Sequence, residues 1–275
     1  MSNEQRKVVL FADLLGFAAL TEKHELDVHT LRNSDRLDVM FAEAFRGHNP
    51  LTRVFTEFHR AIKSTLQISG MSHSSTAITF SDSAFIATTL LHEAVGTAAY
   101  LMQSLLQRGV PMRIGIGSGS FEAVRFRSDI TPDGGDHAAH FLGSGVVRAH
   151  ATESCGIGGC RILLHPSAAT LLEDPAHNPP IPAPEHVMDI ACTANECENK
   201  AGVVREINYW SFRPTDERNA WRALQEMWDQ SPETQHHHYL ATAEAINRMR
   251  VVRGESSLGD LRRRTIPRSR VGIGQ

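Results

Sequence analysis

Lys7-Val8-Val9-Leu10-Phe11-Ala12-Asp13-Leu14 is a short, apolar, β-branched run that closes on a carboxylate. The pattern is that of a buried strand. An acid at its end needs a partner, because an isolated buried charge is costly. A second acid stands in a comparable place. Residues 76–80 and 84–88 are two apolar segments joined through Ser81-Asp82-Ser83, a hairpin pattern with Asp82 at its tip.

Outward from these two segments, the chain alternates between helical and strand periodicity. Residues 51–68 place Val54, Phe58, Ala61, Ile62 and Leu66 on one helical face, after the turn signal Asn49-Pro50. Residues 91–108 read as a second amphipathic helix closed by Gly109, and residues 110–120 as a strand with alternating glycines, as where another backbone comes close. A polar loop with Asp133-Gly134-Gly135-Asp136 follows. Residues 143–154 read as a helix, 160–165 as a strand, 166–172 as a helix opened by proline, and 203–212 as the last strand. Residues 24–50 are polar and mixed, with one short helix expected at 37–45. Five prolines within 174–186 form a rigid connector. Beyond Pro214, residues 217–228 and 239–252 have helical period, and the end is an arginine-rich tail.

The order strand, helix, hairpin, helix, strand, helix, strand predicts an α/β fold, an α+β sandwich of the ferredoxin-like kind with a C-terminal helical extension. The expected division is a domain at 1–213 and an extension with a basic tail at 214–275. In such a sheet Asp13 and Asp82 come side by side. Two carboxylates facing a cleft share a proton or hold a divalent cation. The competing reading makes each a turn residue, since Ser-Asp-Ser is ordinary turn composition.

Composition narrows the classes. A formal charge of −3 on 275 residues gives no sign of a nucleic-acid or membrane-surface partner. The chain carries four lysines against 24 arginines, a bias that high-GC coding also produces. No apolar run approaches the ~20 residues that span a bilayer, and the polar start MSNEQRK shows no signal-peptide pattern. Four cysteines in this length are no disulfide scaffold. A cytoplasmic protein is expected. A zinc site on Cys155, Cys160, Cys192 and Cys197, or on the run His236-His237-His238, is disfavoured by loose spacing and by diverging helical directions.

Four local sequences, in order, resemble those of class III nucleotide cyclases. Phe11-Ala12-Asp13-Leu14-Leu15-Gly16-Phe17 is similar to the family's first metal motif and Phe80-Ser81-Asp82-Ser83 to its second. Arg113-Ile114-Gly115-Ile116-Gly117-Ser118-Gly119 resembles the glycine-bearing strand, and residues 143–153 the helix that carries transition-state residues. The resemblance spans roughly residues 7–212 as a chain of motifs. It implies two divalent cations (Mn²⁺ or Mg²⁺) held by Asp13, Asp82 and the Leu14 carbonyl, and a homodimer with composite active sites.

The departures carry information. The family's purine-reading Lys and Asp fall on Ile78 and His140, and its transition-state Asn and Arg fall on Val147 and Ala151. Arg148 is the candidate substitute, although one helical step turns it about 100° away. Metal aspartates kept while purine readers are lost resembles the Pycsar pyrimidine cyclases of bacterial antiphage defence. That resemblance implies formation of cyclic UMP from UTP, or cyclic CMP from CTP, as a messenger for a separate effector. UTP is favoured because uridylate cyclases form the larger share of that family. The implied substrate-binding residues are Phe17, Ile78, His140, Arg46, Arg53 and Lys200. A purine cyclase with unusual base contacts, and an inactive cyclase-fold module binding a nucleotide, are the alternatives.

Overall fold

The computed structural model describes residues 6–24, 49–68, 75–127, 137–177, 186–190, 201–203, 205–212 and 217–262. The apolar run around Phe11 forms the central strand β1 (Arg6–Leu14). The expected hairpin is β2 (Thr76–Thr79) with β3 (Ser83–Thr88). β4 (Met112–Ser120) lies on the other side of β1, and both neighbours run antiparallel to it. With β7 (Ile162–Leu164), β8 (Val187–Asp189) and β9 (Arg205–Ile207) the sheet has the order β2-β3-β1-β4-β7-β9-β8. The first four strands are in the ferredoxin-like order, and β4 with β7 is a parallel pair. An α+β sandwich with helices on an antiparallel-dominated sheet is therefore the observed fold.

Strand alternation divides the side chains between two faces. Val8, Leu10, Ala12, Ile86, Ile114 and Ile116 point to the larger core. That face is covered by α2 (Pro50–Ile68) and α3 (Leu91–Leu106), which contribute Leu51, Phe58, Ala98, Met102 and Leu105. Helix α2 starts where it does because Asn49 Oδ1 accepts from the Leu51 and Thr52 amides, with Pro50 in the first turn. α1 (Phe17–Lys23) is a short helix directly after β1.

The opposite face is covered over β4 by α4 (Ser144–Glu153). Here the alternating glycines find their reason. A Cβ at Gly115 would lie 2.2 Å from the Ala149 carbonyl oxygen, and one at Gly119 would lie 2.5 Å from the Gly145 amide nitrogen. Side chains on those residues would drive α4 off the strand.

Three sequence expectations change. Part of the polar stretch expected as a loop after residue 120 is a two-stranded ribbon of β5 (Glu122–Arg127) and β6 (His137–Leu142). The last strand is only Arg205–Ile207 and is followed by a 3-10 turn, Tyr209–Ser211. The cause is tertiary. Tyr209 and Trp210 are fully buried, and the Tyr209 hydroxyl donates to the Cys160 carbonyl at 3.0 Å. The helix expected at 166–172 is a single turn, α5 (Pro166–Ala169), continued as 3-10. The helix expected at 37–45 lies outside the described residues, as does most of the proline-rich connector.

The C-terminal helices α6 (Glu217–Gln230) and α7 (His236–Val252) place Ala220, Leu224, Ala243, Ile246 and Met249 in the same core cluster as β1 and α3. A buried charge network ties them to the sheet. Glu206 on β9, fully buried, accepts from Arg161 Nε at 2.6 Å and from Arg248 Nη2 of α7 at 3.2 Å. The division expected at residue 213 thus falls between elements that share one core. No helix among the described residues is long and apolar enough to cross a membrane.

Candidate active site: a crowded carboxylate cluster

Asp13, the last residue but one of β1, lies opposite Ser83 on one side and Arg113 on the other. The Leu14 amide donates to the Asp82 carbonyl at 3.0 Å, which fixes the hairpin tip against the end of β1. Ser81 Oγ donates to Asp82 Oδ1 at 3.2 Å. Gly16, with φ 77, then turns the chain into α1, a conformation that a side chain disfavours. Two acids 69 positions apart in sequence therefore meet at the same end of two adjacent strands.

A third carboxylate joins them. Glu153 closes α4 and is 4% exposed. Its Oε1 accepts from Arg113 Nε at 2.8 Å and Nη2 at 2.6 Å, while Arg113 Nη1 donates to the Ile157 carbonyl at 2.8 Å. Arg113 is the cross-strand neighbour of Asp13, so the ion pair stands directly beside it. The result is an unusual acid. Burial first, then the charges of Glu153 and Asp82, push the Asp13 carboxyl up to about 7, against the opposing pull of Arg113. A carboxyl raised this far by burial and specific neighbouring charges marks a functional candidate.

This donor set fits a divalent cation. Two carboxylates and a backbone carbonyl offer only oxygen, as Mg²⁺ and Mn²⁺ prefer. A cation would also relieve the crowding that holds a proton on Asp13. Among the described residues no group of three or more His, Cys, Asp or Glu side chains is gathered in metal-binding geometry.

The other expected site residues are dispersed. Leu14 is a core side chain, and Phe17 is buried in the main core beneath the Gly16 turn. Ile78 lies on β2 opposite Phe85, on the α4 face of the sheet. His140 is in β6, paired with Val124. Arg53 is exposed on α2, the layer over the other face. Arg46 and Lys200 lie outside the described residues, as do Cys192 and Cys197. Cys155 and Cys160 are buried free thiols. On α4, Val147 is exposed, whereas Arg148 turns inward and donates from Nη1 to the Ser118 carbonyl at 2.7 Å.

Two features were not anticipated. The Arg113–Glu153 pair had a sequence signal, since an acid in the last helical turn opposes the helix dipole and calls for a compensating cation. The second is an aromatic floor on the α4 face. Phe11 and Phe85 pack in a tilted contact with centroids 4.4 Å apart, Phe85 and Phe141 likewise at 4.7 Å, and Phe80 leans on Phe141 at 5.8 Å. His150 of α4 closes the far end, 5.1 Å from Phe11.

No family model and no curated protein matches the chain. Solved structures of nucleotide cyclases do resemble it. The guanylyl cyclase Cya2 is 14% identical with a TM-score of 0.45, covering 74% of this chain and 90% of that one. A bacterial light-regulated adenylyl cyclase is 14% identical with a TM-score of 0.49, covering 81% of this chain and 57% of that one. The guanylate cyclase domain of RhGC from Catenaria anguillulae, in complex with GTP, is 14% identical with a TM-score of 0.44, covering 74% of this chain and 93% of that one.

Proposed function

We propose that this chain is a nucleotide cyclase that converts UTP to cyclic UMP and pyrophosphate, with CTP as the alternative substrate. The observation that carries the reading is the meeting of Asp13 and Asp82 at one end of β1 and β3, with Asp13 crowded until it holds a proton near neutral pH. A carboxylate pair of this kind is stable in ionised form when cations share it. Asp13, Asp82 and the Leu14 carbonyl would hold two divalent cations. When bound, these supply acidity to the ribose 3′-hydroxyl and charge compensation to the leaving pyrophosphate.

The reaction makes one bond between the 3′-oxygen and the α-phosphorus and breaks one between that phosphorus and the bridging oxygen of the β-phosphate. The hydroxyl proton passes to solvent. The chain's part is to hold the triphosphate so that these atoms are in line. Ile78 at the position of the family's purine-reading Lys supports a pyrimidine, since it offers no polar group to a purine edge. The exposed apolar residues Leu142, just before α4, and Val147, on it, support a second copy completing each site. Arg148 would act in the transition state after releasing Ser118. The product would gate a separate effector in antiphage defence, a role supported by the motif resemblance to Pycsar cyclases.

The test is incubation of the purified chain with Mn²⁺ and each of the four nucleoside triphosphates, with products identified by mass spectrometry. Cyclic UMP that disappears in Asp13→Ala and Asp82→Ala sustains the reading; cyclic CMP moves it to the alternative substrate. Cyclic AMP or cyclic GMP would keep the site and remove the pyrimidine assignment. One observation favours a second reading, an inactive nucleotide-binding module. The outward positions of α4 carry Val147 and Ala151, which have no polar group to offer a transition state. Absence of product from all four triphosphates would select it.

A further inference from the structure

Arg113 stands across from Asp13 in the β1–β4 register, where opposed side chains leave the backbone about 4.5–5.5 Å apart. A guanidinium so placed is expected to pair with the carboxylate. Among the described residues its hydrogen bonds go elsewhere: Nε and Nη2 to Glu153 Oε1, and Nη1 to the Ile157 carbonyl at 2.8 Å. Both Glu153 contacts fall on one oxygen and leave a pivot. The Ile157 carbonyl is what fixes the plane of the group. Ile157 belongs to the link between α4 and β7, residues 154–161, which contains Gly156, Gly158 and Gly159 and has little stiffness of its own. The link is anchored from outside. Cys155 and Ile157 pack in a small cluster with Leu163 and Val203. The other end is held by α7, in the C-terminal extension. The amide of buried Cys160 donates to Thr242 Oγ1 at 2.8 Å, and that hydroxyl donates in turn to the His238 carbonyl at 2.8 Å. Link and helix touch closely here: Gly159 has φ 88, and a Cβ on it would lie 2.9 Å from the Thr242 amide nitrogen.

We infer that Thr242 is a positioning residue for the acidic site. By holding the Gly159–Cys160 end of the link, it keeps the Ile157 carbonyl where it turns Arg113 away from Asp13 and leaves that carboxylate open to a cation. The inference rests on the cation reading of Asp13. Without the Thr242 hydroxyl a buried amide has no acceptor, and the link shifts to find one. Arg113 then loses its third contact and swings to the carboxylate opposite. A guanidinium seated on Asp13 competes with an incoming cation for the same oxygens. A helix of the C-terminal extension thereby sets how tightly the site takes its metal.

The experiment uses the full chain with Thr242→Val, which keeps the shape and removes the hydroxyl, and Thr242→Ser, which keeps the hydroxyl. Gly159→Ala is a second route, since its methyl pushes the link off α7. Met249→Ala, at a buried α7 residue outside this contact, controls for lost stability alone. Mn²⁺ binding is read from the free-ion electron paramagnetic resonance signal, and the Mn²⁺ dependence of turnover from cyclic product, both well below the thermal midpoint. Thr242→Val and Gly159→Ala are expected to weaken Mn²⁺ about 3- to 10-fold, with kcat recovered at saturating Mn²⁺. Thr242→Ser and Met249→Ala should take Mn²⁺ as wild type does. Wild-type Mn²⁺ affinity in Thr242→Val and Gly159→Ala would overturn the inference. So would equal weakening in Met249→Ala, the mark of a merely structural role. If Thr242→Val does not fold, Gly159→Ala decides by the same measure. The cation reading fails separately: wild type that neither binds Mn²⁺ nor turns over with it would overturn that reading, and the inference with it.

Discussion

Replacing Glu153 by Gln removes one charge from the most crowded part of the site and keeps the side chain's size. Glu153 is buried, and its Oε1 takes two donors of Arg113 at 2.6 and 2.8 Å. Removing one partner of a buried ion pair costs about 3–5 kcal/mol. Gln keeps an acceptor at the same place, and Arg113 retains the Ile157 carbonyl and the neighbouring Asp13. The loss therefore falls to the bottom of that range or below it, about 2–3 kcal/mol. For a chain of this length that lowers the thermal midpoint by about 5–10 °C.

A second effect has the opposite sign. Glu153 is second only to burial in raising Asp13, so the variant's Asp13 ionises at lower pH. A carboxyl raised to about 7 keeps its proton in the folded state after the unfolded chain has released it. Without cations, wild-type stability from this group is full below the unfolded pKa and is lost as pH rises toward 7. That loss is smaller in Glu153→Gln. The variant's deficit should therefore narrow between about pH 5 and about pH 8. Thermal unfolding followed by circular dichroism, in chelator, across that range reads both effects. Midpoints within about 1 °C of wild type throughout would remove the ion pair from the account. A deficit that widens with pH would show that Glu153 does not act on Asp13.

In Asp13→Asn the loss of stability between pH 4 and pH 7 should disappear, and Mn²⁺ should flatten the same profile in wild type but leave the variant unchanged; urea unfolding with and without Mn²⁺ measures this. Gly115→Ala should destabilise by about 1–3 kcal/mol and depress turnover, because its methyl meets the Ala149 carbonyl and Glu153 amide at 2.2 and 2.5 Å; urea midpoints and product formation check it. Glu206→Gln should cost about 3–5 kcal/mol by leaving Arg161 buried without its counter-charge, read as a lower urea midpoint with α6 and α7 exchanging amide hydrogens faster.

What could be read locally was read well where neighbours along the chain set the structure. The hairpin around Asp82, the helix at Pro50–Ile68 and the helix at Leu91–Leu106 follow from apolar spacing and turn chemistry. The same logic failed at residues 203–212. There the aromatic run reads as strand, but Tyr209 and Trp210 turn away to fill a space that distant helices create. Phe17, the last residue of the first metal-like motif, is packed in the core beyond the Gly16 turn, a burial that motif spacing does not show.

The sequence by itself determined that one acid closes a strand-forming segment and that another stands at a hairpin tip. Those are properties of residue type and short-range spacing, which backbone geometry converts into strands and tips without help from distant parts. Only the tertiary structure decided how crowded Asp13 is. Its neighbours Arg113 and Glu153 arrive from a strand and a helix far along the chain, brought together by strand register and by glycines that let α4 lie on β4. The aromatic cluster on the α4 face has the same origin, since tilted rings from β1, the hairpin and β6 meet only after those segments pack. Coulomb energies and stacking depend on distances of a few ångströms between residues remote in sequence, and those distances are set by packing.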